Sequence, residues 1–194
     1  TINVPLPSTA QITNTRVTVN MSHTWVGDVA MVLRAPNGQI LNLDFFLNAT
    51  GGTGATTGFT NTTITSDNTA PALSTGANPY TGTFRADRVT AGTPAPGPTG
   101  FAPTTNNWNN LYSTPNGNWT LAAYDAFAGD AGTITSWSIT FDYLYGPPAS
   151  GVWSPVAGLF RDAAATIPYV AGDTANCVYA RPTPSGVYPY QVTV

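Results

Sequence analysis

Lysine and glutamate are both missing: each of the 6 basic residues is an arginine and each of the 9 acidic residues an aspartate. Charged residues make up only 8 % of the 194-residue chain, so its polar surface has to be built from Thr, Asn and Ser. The arginines are dispersed singly. Without a basic stripe there is nothing to follow a phosphate backbone or an anionic lipid surface, which excludes nucleic acid and charged membranes as partners. Cys177 is the one cysteine. That excludes an intrachain disulfide and a cysteine-based zinc site. His23 is the one histidine, no Gly-x-Ser-x-Gly occurs, and with no Glu the only close acidic pair is Asp125 with Asp130. Nucleophilic hydrolysis and glycosidase chemistry therefore lack their parts. No apolar run approaches the ~20 residues of a membrane span, and long helical periodicity is absent.

What is present is strand and turn. The 19 Gly and 17 Pro are scattered between alternating apolar runs, as frequent turns require. In RVTVNMSHTW, Val17, Val19, Met21, His23 and Trp25 share one face of an extended strand. A bend at VGD, a second strand VAMVL, a Pro36-Asn37-Gly38 turn and a third strand QILNLDFF follow. A loop-rich middle, 49–105, holds two isolated strand candidates, FTNTTIT and YTGTFRA, and a Pro/Gly-rich stretch, AGTPAPGPTGFAP, that reads as a surface crossing. GNWTLAAYD and GTITSWSITFDYLY complete the pattern; the latter alternates Trp137, Ile139, Phe141, Tyr143 and Tyr145. Gly146-Pro147-Pro148 marks a boundary, giving a first domain over 1–146 and a β-rich extension over 147–194. An extension of 48 residues is too short to fold readily by itself, so its large apolar side chains predict docking on the sandwich or on a second chain. The start at Thr1 without Met reads as a processed or excised piece.

Three strings carry most of the information: SHTWVGDVAMVLRAPNGQILNL, YTGTFRAD and NGNWTLAAYDAFAGDAGTITSWSITF. In this order they resemble the P-domain of kexin- and furin-like proprotein convertases. His23, Thr24, Trp25, Gly27, Asp28, Pro36, Gly38 and Leu43 match the first half of that pattern. Gly117, Trp119, Leu121, Asp125, Gly129, Asp130, Gly132, Trp137 and Ser138 match the second half, so the resemblance runs over roughly 10–143. It implies an all-β, jelly-roll-like antiparallel β-sandwich with a short β-rich C-terminal extension. It also implies a non-catalytic accessory domain that stabilises or docks on a subtilisin-like catalytic domain, or on another surface protein, and structural calcium. The extension is similar to repeat segments of bacterial surface adhesins and type-IX-secreted proteins.

A disulfide-free chain with this surface fits bacterial export, secreted or held at the cell surface. Calcium takes six to eight oxygens, which Asp carboxylates and loop carbonyls supply. The expected ligands are Asp28, Gly51, Gly52, Asp67, Asp125 and Asp130, gathered near the Asp28 bend and the 51–67 loop; each Asp could equally cap an ordinary turn. Ala55 and Thr56 stand where bacterial relatives carry Asp or Asn after the Gly-rich turn. A different functional class, an adhesion or carbohydrate-binding module, would need a solvent-facing aromatic. Trp108 in TTNNWNNLY is the candidate for that role. Cys177 is expected as a buried thiol in a strand of the extension.

Overall fold

The structure, a computed structural model, describes residues 1–7, 9–47, 58–145 and 150–194. It divides into two compact units, Thr1–Leu144 and Tyr145–Val194.

The first unit is built from eight strands: β1 (Ile2–Val4), β2 (Ala10–His23), β3 (Val29–Arg34), β4 (Ile40–Phe45), β5 (Phe59–Thr65), β6 (Tyr80–Arg85), β7 (Gly117–Asp125) and β8 (Gly132–Tyr145). They form two four-stranded sheets, ordered β1-β7-β3-β4 and β6-β5-β2-β8. The alternation read in β2 is realised: Val17, Val19, Met21 and His23 are buried while Ser22 is exposed. These side chains meet Met31 and Leu33 of β3, Leu41 and Leu43 of β4, and Trp119 and Leu121 of β7 in one core between the sheets. Trp119 is its largest fully buried side chain. Its ring lies 5.1 Å from that of Phe141, and its Nε1 donates to the Pro115 carbonyl at 2.9 Å, so the indole buries its apolar body and still satisfies its N–H. Pairing is antiparallel except between β5 and β6, which run parallel. The first expected strand stops at His23, two residues short of Trp25, and the bend expected at VGD is a single 3-10 turn, Val26–Asp28.

The Pro/Gly-rich stretch is more than a crossing. β4 is the edge strand of its sheet, and the chain returning from β6 covers that edge. Asp87 N–H donates to the Leu43 carbonyl at 3.1 Å and Arg88 N–H to the Asn42 carbonyl at 3.0 Å. Ile40 N–H donates to Thr104 Oγ1 at 2.9 Å. An otherwise open edge, which would template pairing with another chain, is closed in this way. The segment between presses on the sheet: a Cβ at Gly92 would lie 2.3 Å from the Phe45 ring. At Gly97 a Cβ would lie 2.5 Å from the Phe101 carbonyl oxygen and 3.4 Å from Val32 Cγ1. Arg34 stacks over Phe101, 4.4 Å from the ring centre, at the same seam. Trp108 also differs from expectation: it is 6 % exposed and packs into the core, held in a 3-10 turn capped by Asn107.

The second unit holds β9 (Gly151–Ser154), β10 (Leu159–Phe160), β11 (Thr174–Ala175), β12 (Tyr179–Ala180) and β13 (Gln191–Thr193), in sheets ordered β11-β9-β13 and β10-β12. Leu159 and Tyr169 are its buried apolar side chains. The Trp153 indole donates to the Ala175 carbonyl at 2.9 Å, tying β9 to β11. Cys177 is exposed and lies between β11 and β12, not buried in a strand; a thiol in so short a connection has no layer above it.

The tight seating of the Pro/Gly-rich segment makes a direct prediction. Gly97 needs no unusual backbone angle, so Gly97→Ala adds only a clash against backbone, and it is expected to destabilise the first unit by about 1–3 kcal/mol. A thermal melt unchanged from wild type would show that the 97–101 backbone shifts to make room at no cost.

Candidate functional site

The two halves of the recognised motif, far apart in the chain, meet at the end of the sandwich where β2 stops and β3 and β8 begin. β2 carries His23 to that point, and β8 starts with Gly132 against its ring: a Cβ at Gly132 would lie 2.2 Å from His23 Cδ2 and 2.6 Å from the Ser22 carbonyl oxygen. Only glycine permits that approach. His23 is 4 % exposed. Its Nδ1 accepts the Trp25 N–H at 3.1 Å, so the ring proton sits on Nε2, which faces Asp125 Oδ2 at 3.3 Å. The next residue continues the join. Thr24 Oγ1 donates to Asp130 Oδ1 at 2.8 Å and accepts the Ala131 N–H at 3.0 Å, while Thr24 N–H donates to the Ala131 carbonyl at 3.1 Å.

Asp28, Asp125 and Asp130 are thereby brought into one acidic neighbourhood. Partial burial, then the negative charges of Asp125 and Asp130, push the Asp28 carboxyl above its usual range, with His23 opposing weakly. The Asp28 carbonyl accepts the Ala126 N–H at 3.0 Å, and Asp125 Oδ1 accepts the Phe127 N–H at 3.2 Å, which orders the turn after β7. Trp25, Asp28, Phe127 and Asp130 line a shallow surface depression of about 350 Å3 in which Phe127 is 47 % exposed.

Asp67 is not part of this group. Arg16 pairs with Thr65 and Met21 with Phe59, so the chain leaving β5 toward Asp67 lies at the Arg16 end of β2, opposite His23. There Asp67 Oδ1 accepts the N–H and hydroxyl of Thr69, both at 2.8 Å, and these bonds hold its carboxyl below its usual range. It caps a turn. Gly51 and Gly52 lie outside the described residues. Among the described residues no three His, Cys, Asp or Glu side chains gather as a metal-ligating set.

One pair of acids escaped the sequence reading as a site. Asp44, in β4, is 0 % exposed, and Asp87, at the covered edge of β4, accepts the Phe45 N–H on Oδ2 at 2.7 Å. Burial, then the Asp87 charge, raises the Asp44 carboxyl well above its ordinary range. The sequence shows Asn42 and Asp44 at alternate positions of the strand ILNLDF, the pattern of a half-buried strand, which gives no sign that both are buried.

The residues at this end of the all-β sandwich tie strand ends together: His23 to Asp125, and Thr24 to Asp130 and Ala131. Residues 12–77, about a third of the chain, match the family model described as the proprotein convertase P-domain. No curated protein and no solved structure matches the chain.

Because ionised Asp28 is disfavoured in the fold, its contribution to stability is present below the unfolded carboxyl pKa of about 3.9 and is lost as pH rises through the raised folded value. In calcium-free buffer, Asp28→Asn is therefore expected to melt at or slightly above wild type at pH 7, the difference closing toward pH 4. A variant that melts below wild type only when calcium is present would mark Asp28 as a ligand instead.

Proposed function

We propose that this chain is a non-catalytic accessory domain of an exported protein, packing on a subtilisin-like catalytic domain and stabilising it. The observation that carries the reading is the P-domain match over 12–77, centred on the strand-turn-strand unit that runs from β2 through the Asp28 turn to β4. The chemistry of that unit supports it. Both nitrogens of the sole histidine are occupied, one by the Trp25 N–H and the other against Asp125, so no lone pair is left to take a proton from a nucleophile. Export is supported by the kind of protease that P-domains accompany, and among the described residues no helix is long and apolar enough to cross a membrane. The glycan-binding alternative loses its main support, since Trp108 is in the core.

The purified chain is expected to show no turnover of peptides, esters or glycosides; activity that His23→Ala abolishes in a protein that stays folded would overturn this. The docking role is tested by expressing the parent's catalytic domain with and without this chain and following thermal inactivation. Slower inactivation with the chain present is expected. Identical rates, or a parent gene that encodes no subtilisin-like domain, would sink the reading.

A further inference from the structure

β4 and the segment that covers its edge enclose a group of oxygen acceptors with no donor among them. Asp44 is fully buried, and among the described residues neither carboxylate oxygen has a hydrogen-bond partner. Asn42, two residues earlier and also 0 % exposed, has its Oδ1 without a partner. Its amide cannot be turned to relieve this, because Nδ2 donates to three carbonyls: Asp44 at 2.8 Å, Met31 at 3.3 Å and Pro96 at 3.5 Å. Flipping it would set Oδ1 against three other oxygens. Asp87 is held beside them by its N–H on the Leu43 carbonyl and by the Phe45 N–H on its Oδ2. That second bond uses one oxygen of the Asp87 carboxylate, and among the described residues no hydrogen bond reaches the other.

A buried carboxylate with no donor costs several kcal/mol, and native structures rarely leave one so. A second carboxylate alongside deepens the cost. The structure also strains its backbone around the pair: Phe46 and Arg88, neither of them glycine, hold φ at 50° and 58°. β4 slips register against β3 between Met31 and Val32, where Asp44 and Asn42 are their partners, and such a bulge re-aims side chains. No arginine forms an ion pair with Asp44 or Asp87 among the described residues; the Arg85 guanidinium donates to the Ala70 carbonyl.

We propose that Asp44, Asp87 and the Asn42 amide oxygen bind one calcium ion at the covered edge of β4, locking the Pro/Gly-rich segment onto the sheet. Every available donor atom is an oxygen, which suits a hard cation and disfavours zinc or copper. Two carboxylates match a divalent charge, and water completes the six to eight ligands that calcium takes. A polar depression lined by Asp87, Arg88, Asn106 and Asn107 opens to solvent beside Asp87 and supplies an entry path. The site differs from the acidic group at Asp28, whose neighbours Asp125 and Asp130 already accept hydrogen bonds from the protein.

The test uses the full chain, stripped with a chelator and then titrated with calcium by calorimetry, with metal content and thermal melts measured in parallel. Wild type should take up one calcium per chain and gain roughly 5–10 °C at a hundredfold excess over Kd. Asp44→Asn and Asp87→Asn should lose both the heat of binding and the thermal gain, whereas Asp28→Asn keeps them. If Asp44→Asn does not fold, the more accessible Asp87→Asn decides alone. Calcium uptake unchanged in Asp87→Asn, or lost in Asp28→Asn but kept in Asp44→Asn, overturns the assignment. So does a wild type indifferent to millimolar calcium that Asp44→Asn stabilises, which would identify a buried neutral acid.

Discussion

His23 sits where the two sheets of the first unit must be joined, and the rest of that end is arranged around it. Its ring is pressed on one side by the backbone of Gly132, at the start of β8, and faces Asp125, at the end of β7, on another. The contact to Asp125 spans 102 positions of sequence, so it closes a long loop and fixes which strand ends lie together. Once β2 is anchored there, Thr24 bonds to Asp130 and Ala131, and the Val26–Asp28 turn delivers β3 to β7, with Val29 opposite Asp125. A larger residue at 132 would push β8 off β2 within their sheet, at the point where the His23–Asp125 contact joins that sheet to the other.

Much of this was legible in the sequence because period-two alternation is a strong signal when one face of a strand is buried. β2, β3, β5, β6, β7 and β8 all fall where alternation or a short apolar run places them. Asp28 and Asp130 were legible as well, each following a motif glycine in a turn, and Asp125 as the residue that ends β7. What failed has a common cause: burial created by a loop leaves no periodic trace. Asn42 and Asp44 look like the solvent-facing positions of a half-buried strand, yet chain from elsewhere lies over them. Trp108 is in a non-strand turn flanked by Asn, a context that reads as exposed, and tertiary packing takes it into the core. The parallel pairing of β5 and β6 depends on a crossover through 66–79 that no local pattern encodes.

The same reasoning separates the nine aspartates into two kinds. Asp67 and Asp162 cap turns through Thr69 and through Thr166 and Ile167, and Asp142 and Asp173 pair with Arg16 and Arg161. Exposed contacts of this sort are screened by solvent and serve mainly to satisfy local geometry. The other five, Asp28, Asp44, Asp87, Asp125 and Asp130, lie toward one end of the β3-β4-β7 sheet. Val29 opposite Asp125, Met31 opposite Asp44 and the Phe46–Phe127 ring contact at 6.3 Å all place them there.

That crowding must be balanced, and the composition restricts how. With lysine absent, six arginines are the only permanent cations of the chain; two of them are paired elsewhere and Arg34 lies over Phe101. Among the described residues no arginine pairs with an aspartate at this end, and His23, whose Nδ1 accepts the Trp25 N–H, only faces Asp125 with its Nε2. The surface trio can be left to water, which screens its repulsion. Asp44 has no such recourse, because no water-accessible surface remains to it and no hydrogen-bond donor reaches it. Its charge must be cancelled by a proton or by a cation from solution. A proton on Asp44 would supply one O–H donor, enough for a single acceptor such as the Asn42 amide oxygen, whereas a cation between the side chains engages Asp44, Asn42 and Asp87 at once.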